Sequence, residues 1–106
     1  MTEILIKKEN GSIAYFEVRG HSGYADEGYD IVCASVSSVV WTTVNGLENV
    51  LHLSPDYSER DGFVSCKINC KNDAERKNAD ILLFSMESFF AELAKQYPEF
   101  ITKTEV

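Results

Sequence analysis

Residues 20–38 read GHSGYADEGYDIVCASVSS, and the interpretation of the whole chain depends on this stretch. Its first half is a loop that holds three of the six glycines in the sequence. Its second half opens a long uncharged segment. Asp30 is a good helix N-cap, because its carboxylate can accept hydrogen bonds from the free N–H groups of a first turn. The sequence therefore predicts a helix that begins at Ile31.

The predicted helix carries no charged residue over residues 31–47. Apolar and small side chains recur along it at spacings of three and four, which places them on one face. That face comprises Val32, Val36, Val39, Val40, Thr43 and Leu47. The small residues Ala34, Ser38 and Thr42 lie opposite. A helix without charges on any side is typical of a deeply buried element, so we expect burial all round.

Cys33 would lie in the first turn of this helix, where the positive end of the helix dipole favours a thiolate. His21, on the preceding loop, could take the thiol proton or form an ion pair with the thiolate. The alternative is that Cys33 is a small buried side chain and His21 an ordinary loop residue. From the residues alone both interpretations stay open, although the position at a helix start strengthens the catalytic one.

The same stretch resembles the signature of the ribosomal-processing cysteine protease family, Prp. That signature runs approximately G-H-x-x-Y-A, a short glycine-containing spacer, and then D-I-V-C-A-A-V-S. The resemblance implies that His21 is the catalytic base and Cys33 the nucleophile. It also implies supporting roles for three further residues, Gly20, Asp30 and Ser37. Ser35 stands where the family usually has alanine, a change from one small residue to another.

Two details of such a site follow from the predicted helix start. The backbone N–H groups of Cys33 and Ala34 would be free to hold an oxyanion. Asp30 could orient His21 as the third member of a triad, or it could simply cap the helix. Its placement favours the cap.

The loop at residues 22–29 contains two glycines, two acids and two tyrosines. It is either an ordinary connection or a mobile lid that closes on a substrate. As a lid, it would let Tyr24 and Tyr29 stack on aromatic side chains of the substrate. Asp26 and Glu27 would then meet basic groups of the same substrate.

Length and composition fit one globular domain over residues 1–106, since 44% of the residues are hydrophobic and 11% aromatic. The net charge of −7 argues against direct nucleic acid binding and suits a basic protein partner. Residues 31–47 are too short and polar for a membrane span, and the first ten residues do not resemble a signal peptide. With neither CxxC nor HxxxH, we expect no metal and no cofactor. Three reduced cysteines suit the cytoplasm.

The remaining elements are two hairpins and a second helix. Asn10-Gly11 and Asp61-Gly62 predict tight hairpin turns. Asn72 and Glu75 predict a capping box that opens a helix ending before Pro98. The predicted order is β-β-α-β-β-α-β, an α+β domain with two helices on a mainly antiparallel sheet.

Three finer expectations concern the faces of the strands. Ala14, Phe16 and Val18 should share one face of the second strand, opposite Ile13. The third strand should span residues 52–58, with His52 in an ordinary role just past the helix end. The fourth strand should place Cys66 and Cys70 together in the core.

The resemblance implies a cytoplasmic endopeptidase that removes a short N-terminal extension from a large-subunit ribosomal protein, cutting after paired aromatic residues. The alternative is a non-enzymatic ribosome-assembly module that docks on a ribosomal protein. Surplus apolar residues on the second helix, among them Ile81 and Phe89, predict a homodimer.

Overall fold

Two antiparallel hairpins and two long helices make up the fold. The computed structural model describes the backbone of residues 1–20 and 27–106 and the side chains of residues 1–20 and 31–106. The strands are β1 (Thr2–Glu9), β2 (Ser12–Arg19), β3 (Asp56–Arg60), β4 (Phe63–Lys67) and β5 (Ile101–Glu105). The helices are α1 (Glu27–Asn45), continued by a π-helical turn (Gly46–Val50), and α2 (Asp73–Gln96). The predicted order β-β-α-β-β-α-β is confirmed.

The five strands form one sheet in the order β3-β4-β2-β1-β5. All neighbouring pairs are antiparallel except β1 and β5, which run parallel with Thr2 opposite Ile101. The buried apolar side chains of the strands and both helices belong to a single core cluster. Among the helices of the described residues, none is long and apolar enough to cross a membrane.

The first hairpin contains a bulge that the sequence did not reveal. Its turn is as predicted, with positive φ angles of 54° at Asn10 and 79° at Gly11. Lys7 pairs with Tyr15, but Lys8 pairs with Ile13, so one residue of β2 is skipped. The extra residue reverses the alternation. Ile13 therefore joins Phe16 in the core, and the prediction that it faces the opposite way was wrong.

Helix α1 differs from the prediction in its start and in its burial. It begins at Glu27, so Asp30 lies within the helix and is not its N-cap. The predicted apolar face is confirmed, with Val32 and Val36 almost fully buried. Burial on all sides was wrong, because Ile31 is 49% exposed and Trp41 is 64% exposed. Over residues 31–45, where the side chains are described, the helix has a solvent face that carries no charge.

The second hairpin also begins and ends closer to its turn than predicted. Strand β3 starts after Pro55, because proline cannot donate to the ladder. Gly62 has the positive φ, 73°, that the predicted turn requires. Strand β4 stops at Lys67, so of the two cysteines only Cys66 belongs to that strand, where it is fully buried. Cys70 lies beyond the strand and is partly buried.

Helix α2 follows the prediction closely. The Asn72 side chain accepts a hydrogen bond from the Glu75 N–H at 2.9 Å. The Glu75 carboxylate accepts from the Lys71 N–H at 2.8 Å, one residue earlier than in a standard capping box. Ile81, 67% exposed, and Phe89, 38% exposed, lie outside the buried face as expected. That buried face comprises Ala79, Leu83, Met86, Phe90 and Leu93.

Burial of Cys66 makes the stability of the fold sensitive to alkaline pH. Burial, with smaller contributions from Glu48 and Asp56, raises the pKa of the Cys66 thiol from 9.0 to about 12. Because the folded pKa exceeds the unfolded one, this contribution to stability is complete below the unfolded pKa and is lost as pH rises toward 12.

We expect Cys66→Ala to reduce the loss of unfolding free energy at alkaline pH. Between pH 8 and pH 10.5 the wild-type protein should lose up to about 2 kcal/mol more unfolding free energy than the variant does. Urea titrations at both pH values measure the two slopes. Equal slopes would show that the Cys66 thiol does not contribute.

Candidate active site

Cys33 lies on α1 six residues after the first helical residue, in the second turn and not in the first. Its side chain is partly buried. The Sγ atom is 3.8 Å from Oγ1 of Thr2, which is fully buried at the start of β1. The thiol therefore sits at the end of the sheet where β1 begins.

Gly20 brings the chain to the same end of the sheet. It follows the last residue of β2, has a φ of 87°, and donates its N–H to the carbonyl of Gly62 at 2.9 Å. A Cβ atom at this position would be only 2.3 Å from the carbonyl oxygen of Met1. Only glycine fits here. The residue that precedes His21 is thus packed against the start of β1, next to the strand residue that contacts Cys33.

Several residues predicted for the site lie outside the described part of the chain. Their proposed roles in base catalysis and substrate binding remain predictions. They are His21, Tyr24 and Asp26, together with the side chains of Glu27, Tyr29 and Asp30.

The predicted oxyanion donors are not free in this conformation. In a helix that begins at Glu27, the N–H groups of Cys33 and Ala34 bond to the carbonyls of Tyr29 and Asp30. The two N–H groups could hold an oxyanion only if the first turns of α1 unwound. The structure therefore gives no support to this part of the prediction.

Cys33 belongs to a row of side chains along α1 that sequence reasoning only partly identified. Ser37 follows one turn later and Trp41 one turn after that. Ser37 and Trp41 line a small cleft of about 40 Å³ between α1 and the hairpin of β3 and β4. The lining also includes Val18, Val36, Val40, Glu59 and Val64. Ser37 was predicted as a supporting residue, whereas Trp41 and Glu59 were not.

Strand β3 contributes Glu59 to this cleft. Nearby on the same strand lies Tyr57, and the indole N–H of Trp41 is close enough to its hydroxyl to lower the pKa of that tyrosine. That hydroxyl in turn donates to Oε2 of Glu59 at 2.9 Å. Burial, followed by the carboxylate of Glu59, raises the pKa of Tyr57 to about 12. Tyr57 thus keeps its proton and donates it in the hydrogen bond to the carboxylate of Glu59.

The other thiols and the second histidine lie elsewhere. Burial raises the pKa of the Cys70 thiol, and the nearby carboxylates of Glu75 and Asp80 add to this effect. His52 has a left-handed φ of 57° just past the π-helical turn, a position where it helps end the helix. Among the described residues, no group of three or more His, Cys, Asp and Glu side chains could hold a metal ion.

Comparisons with known proteins define the class to which this fold and thiol belong. A family model described as cysteine protease Prp matches residues 1–102. The chain is 28% identical over 96 residues to the ribosomal processing cysteine protease Prp of Bacillus subtilis, covering 88% of this chain and 86% of the relative. It is 25% identical over 83 residues to the protein of the same name from Staphylococcus aureus strain NCTC 8325, covering 76% and 78%.

Solved structures agree with this assignment. The crystal structure of SMU.848 from Streptococcus mutans superposes with a TM-score of 0.86 at 27% identity, covering 100% of this chain and 94% of that one. The S. aureus Prp structure with a covalently linked product peptide has a TM-score of 0.85 at 25% identity, with both chains fully covered. The fold and the sequence are those of a cysteine protease. The chain belongs to the cysteine protease Prp family.

Cys33 should be alkylated faster than the other two thiols at neutral pH. The pKa of Cys66 and that of Cys70 are both raised by burial, so their thiolate fractions are small. Brief treatment with iodoacetamide at pH 7, followed by peptide mapping, gives the three rates. In urea the three rates should converge. A folded protein in which Cys70 reacts as fast as Cys33 would contradict this expectation.

Gly20→Ala should destabilise the fold more than Gly62→Ala. Both glycines have positive φ, so each substitution costs about 1 kcal/mol in backbone strain. Only at residue 20 would the new Cβ also collide with a backbone carbonyl, whereas nothing lies within 4 Å at residue 62. We expect the difference in unfolding free energy to exceed about 1 kcal/mol. Urea denaturation of both variants measures it, and equal destabilisation would refute the role of the close approach.

Proposed function

We propose that this protein is an endopeptidase that removes the short N-terminal extension of a large-subunit ribosomal protein. Family membership supports the protease chemistry. The names of the relatives from B. subtilis and S. aureus support ribosomal processing. One structural observation carries the assignment of the nucleophile: Cys33 lies against the start of β1, beside the point where Gly20 leads into His21.

The chemistry needs two side chains of this chain and one water. His21 takes the proton of the Cys33 thiol, and the thiolate attacks the scissile carbonyl carbon. His21 returns that proton to the departing amine, which leaves an acyl-enzyme joined through Sγ. His21 then removes a proton from water, and the hydroxide displaces the thiolate and releases the new carboxyl end of the extension.

We give Asp30 the role of a triad member in this mechanism, although its sequence position favours the role of a helix cap. Because α1 begins at Glu27, Asp30 does not cap the helix. We therefore assign it the remaining role, that of orienting His21 and stabilising the imidazolium.

Charge supports a ribosomal protein as the substrate. The chain carries a net charge of −7, whereas ribosomal proteins are generally basic, so long-range attraction would speed their encounter. The same charge disfavours direct contact with ribosomal RNA. The paired aromatic residues at the cleavage site are the feature that we expect the enzyme to recognise, with Tyr24 and Tyr29 as contacts.

We also propose a cytoplasmic homodimer. All three cysteines are free thiols, which is the usual state in a reducing compartment. On α2, Ile81 and Phe89 expose apolar surface that a second copy could cover.

Cys33→Ala and His21→Ala should abolish cleavage of a synthetic peptide with paired aromatic residues at its centre. Asp30→Asn should keep the fold but reduce turnover about 100-fold or more, because an amide cannot stabilise the imidazolium. Mass spectrometry of the products, with the time course of cleavage, measures each effect.

His52→Asn is the matched control, because residue 52 lies outside the site. Asparagine also tolerates the positive φ of this residue. It should cleave at the wild-type rate. Cleavage by Cys33→Ala at the native rate would show that the nucleophile is another group. Full activity in Asp30→Asn would return that residue to a structural role.

A further inference from the structure

Trp41 combines exposure with a place at the edge of a cleft. It is the single tryptophan of the chain, and 64% of its surface is exposed. The ring lines the cleft together with Glu59 of β3, and its indole N–H lies near the hydroxyl of Tyr57 on the same strand. Tyr57 is itself held by its hydrogen bond to Glu59. The ring thus lies against the cleft before any ligand arrives, and an aromatic side chain has few rotatable bonds to fix when a partner stacks on it.

The distance between the Trp41 ring and the Cys33 thiol determines which residue of a bound polypeptide can reach the ring. Trp41 lies eight residues after Cys33 on the same helix, which is about 12 Å along the axis. An extended polypeptide covers about 12 Å in three to four residues. Ser37, small and partly buried, lies midway along the same row and leaves the path open. A chain whose scissile bond rests at Cys33 can therefore reach Trp41 with its third or fourth residue.

The charge of the residues that line the cleft indicates which kind of polypeptide would bind there. Among the described residues that line the cleft beside Trp41, Glu59 is the one that carries a charge. Its carboxylate is exposed and already accepts from Tyr57, and a carboxylate has further lone pairs for a basic group. Glu59 therefore gives the cleft beside Trp41 a negative charge.

We propose that Trp41, Tyr57 and Glu59 form a binding site for the substrate polypeptide three or four residues from the scissile bond. An apolar or aromatic side chain, or the stem of a lysine, packs on the indole, and a basic group pairs with Glu59. This inference rests on the proposed protease function of Cys33. It assigns a part of the recognition to residues that lie outside the signature stretch.

The single tryptophan provides a direct test that needs no catalysis. In Cys33→Ala, a synthetic peptide with paired aromatics at its centre and a lysine four residues away should shift the indole emission in a saturable way. Peptides with the lysine on either side of the centre establish the direction in which the chain lies. Replacing that lysine by glutamate should weaken binding about tenfold.

Kinetics on the active enzyme provides the second measurement. Trp41→Ala should raise KM about tenfold while changing kcat little, because the contact is made equally in the ground state and the transition state. Glu59→Gln should remove the preference for the lysine peptide over its glutamate counterpart. Val50→Ser is the matched control: Val50 is an exposed apolar residue, 68% accessible, that lies outside the cleft. It should leave both constants unchanged.

The outcomes separate this inference from the proposed function. Cleavage of the peptide with no change in emission, and unchanged kinetics in Trp41→Ala, would overturn the site while leaving the protease standing. A saturable emission change without any cleavage would support the site and refute the protease. If the emission instead depends on protein concentration without peptide, and sedimentation shows that Trp41→Ala breaks a dimer, then this face joins two copies and the proposal is wrong.

Discussion

The packing of one face of α1 determines where every other group on that helix points. Val32, Val36 and Val40 recur at intervals of four and are almost fully buried in the core. They fix the rotation of the helix about its axis. The neighbouring row, one residue further along in each case, is Cys33, Ser37 and Trp41. This row is consequently held at the boundary between the core and solvent, where a side chain is both rigid and accessible.

The sequence predicted those parts of the fold that depend on local chemistry. Glycine turns at residues 11 and 62 and the Asn72 cap were found because each satisfies backbone groups within a few residues. The bulge in β2 was missed because it is a property of pairing with β1. The start of α1 was misplaced because the segment DEGYD offers more than one acidic residue, and local preference does not choose among them.

The same distinction applies to the site. Cys33 and His21 were predicted as site residues from a contiguous motif. Thr2, Tyr57 and Glu59 lie far from Cys33 in sequence and are brought to the helix by the sheet, so periodicity contains no signal for them. The exposure of Trp41 was not predicted, because the lack of charge along the helix was interpreted as a sign of burial. An uncharged helix was expected to be buried throughout, yet its outer face is uncharged and exposed, a pattern typical of surfaces that contact other chains.

The parallel pairing of β1 with β5 has a consequence for biosynthesis. The N–H of Thr2 bonds to the carbonyl of Phe100, and Thr2 is also the neighbour of the Cys33 thiol. One edge of β1 therefore remains open until the β5 segment, far later in the sequence, has been synthesised and has paired with it. The surroundings of the thiol are completed only then. A chain in which β5 has not yet been made therefore lacks the finished environment of Cys33.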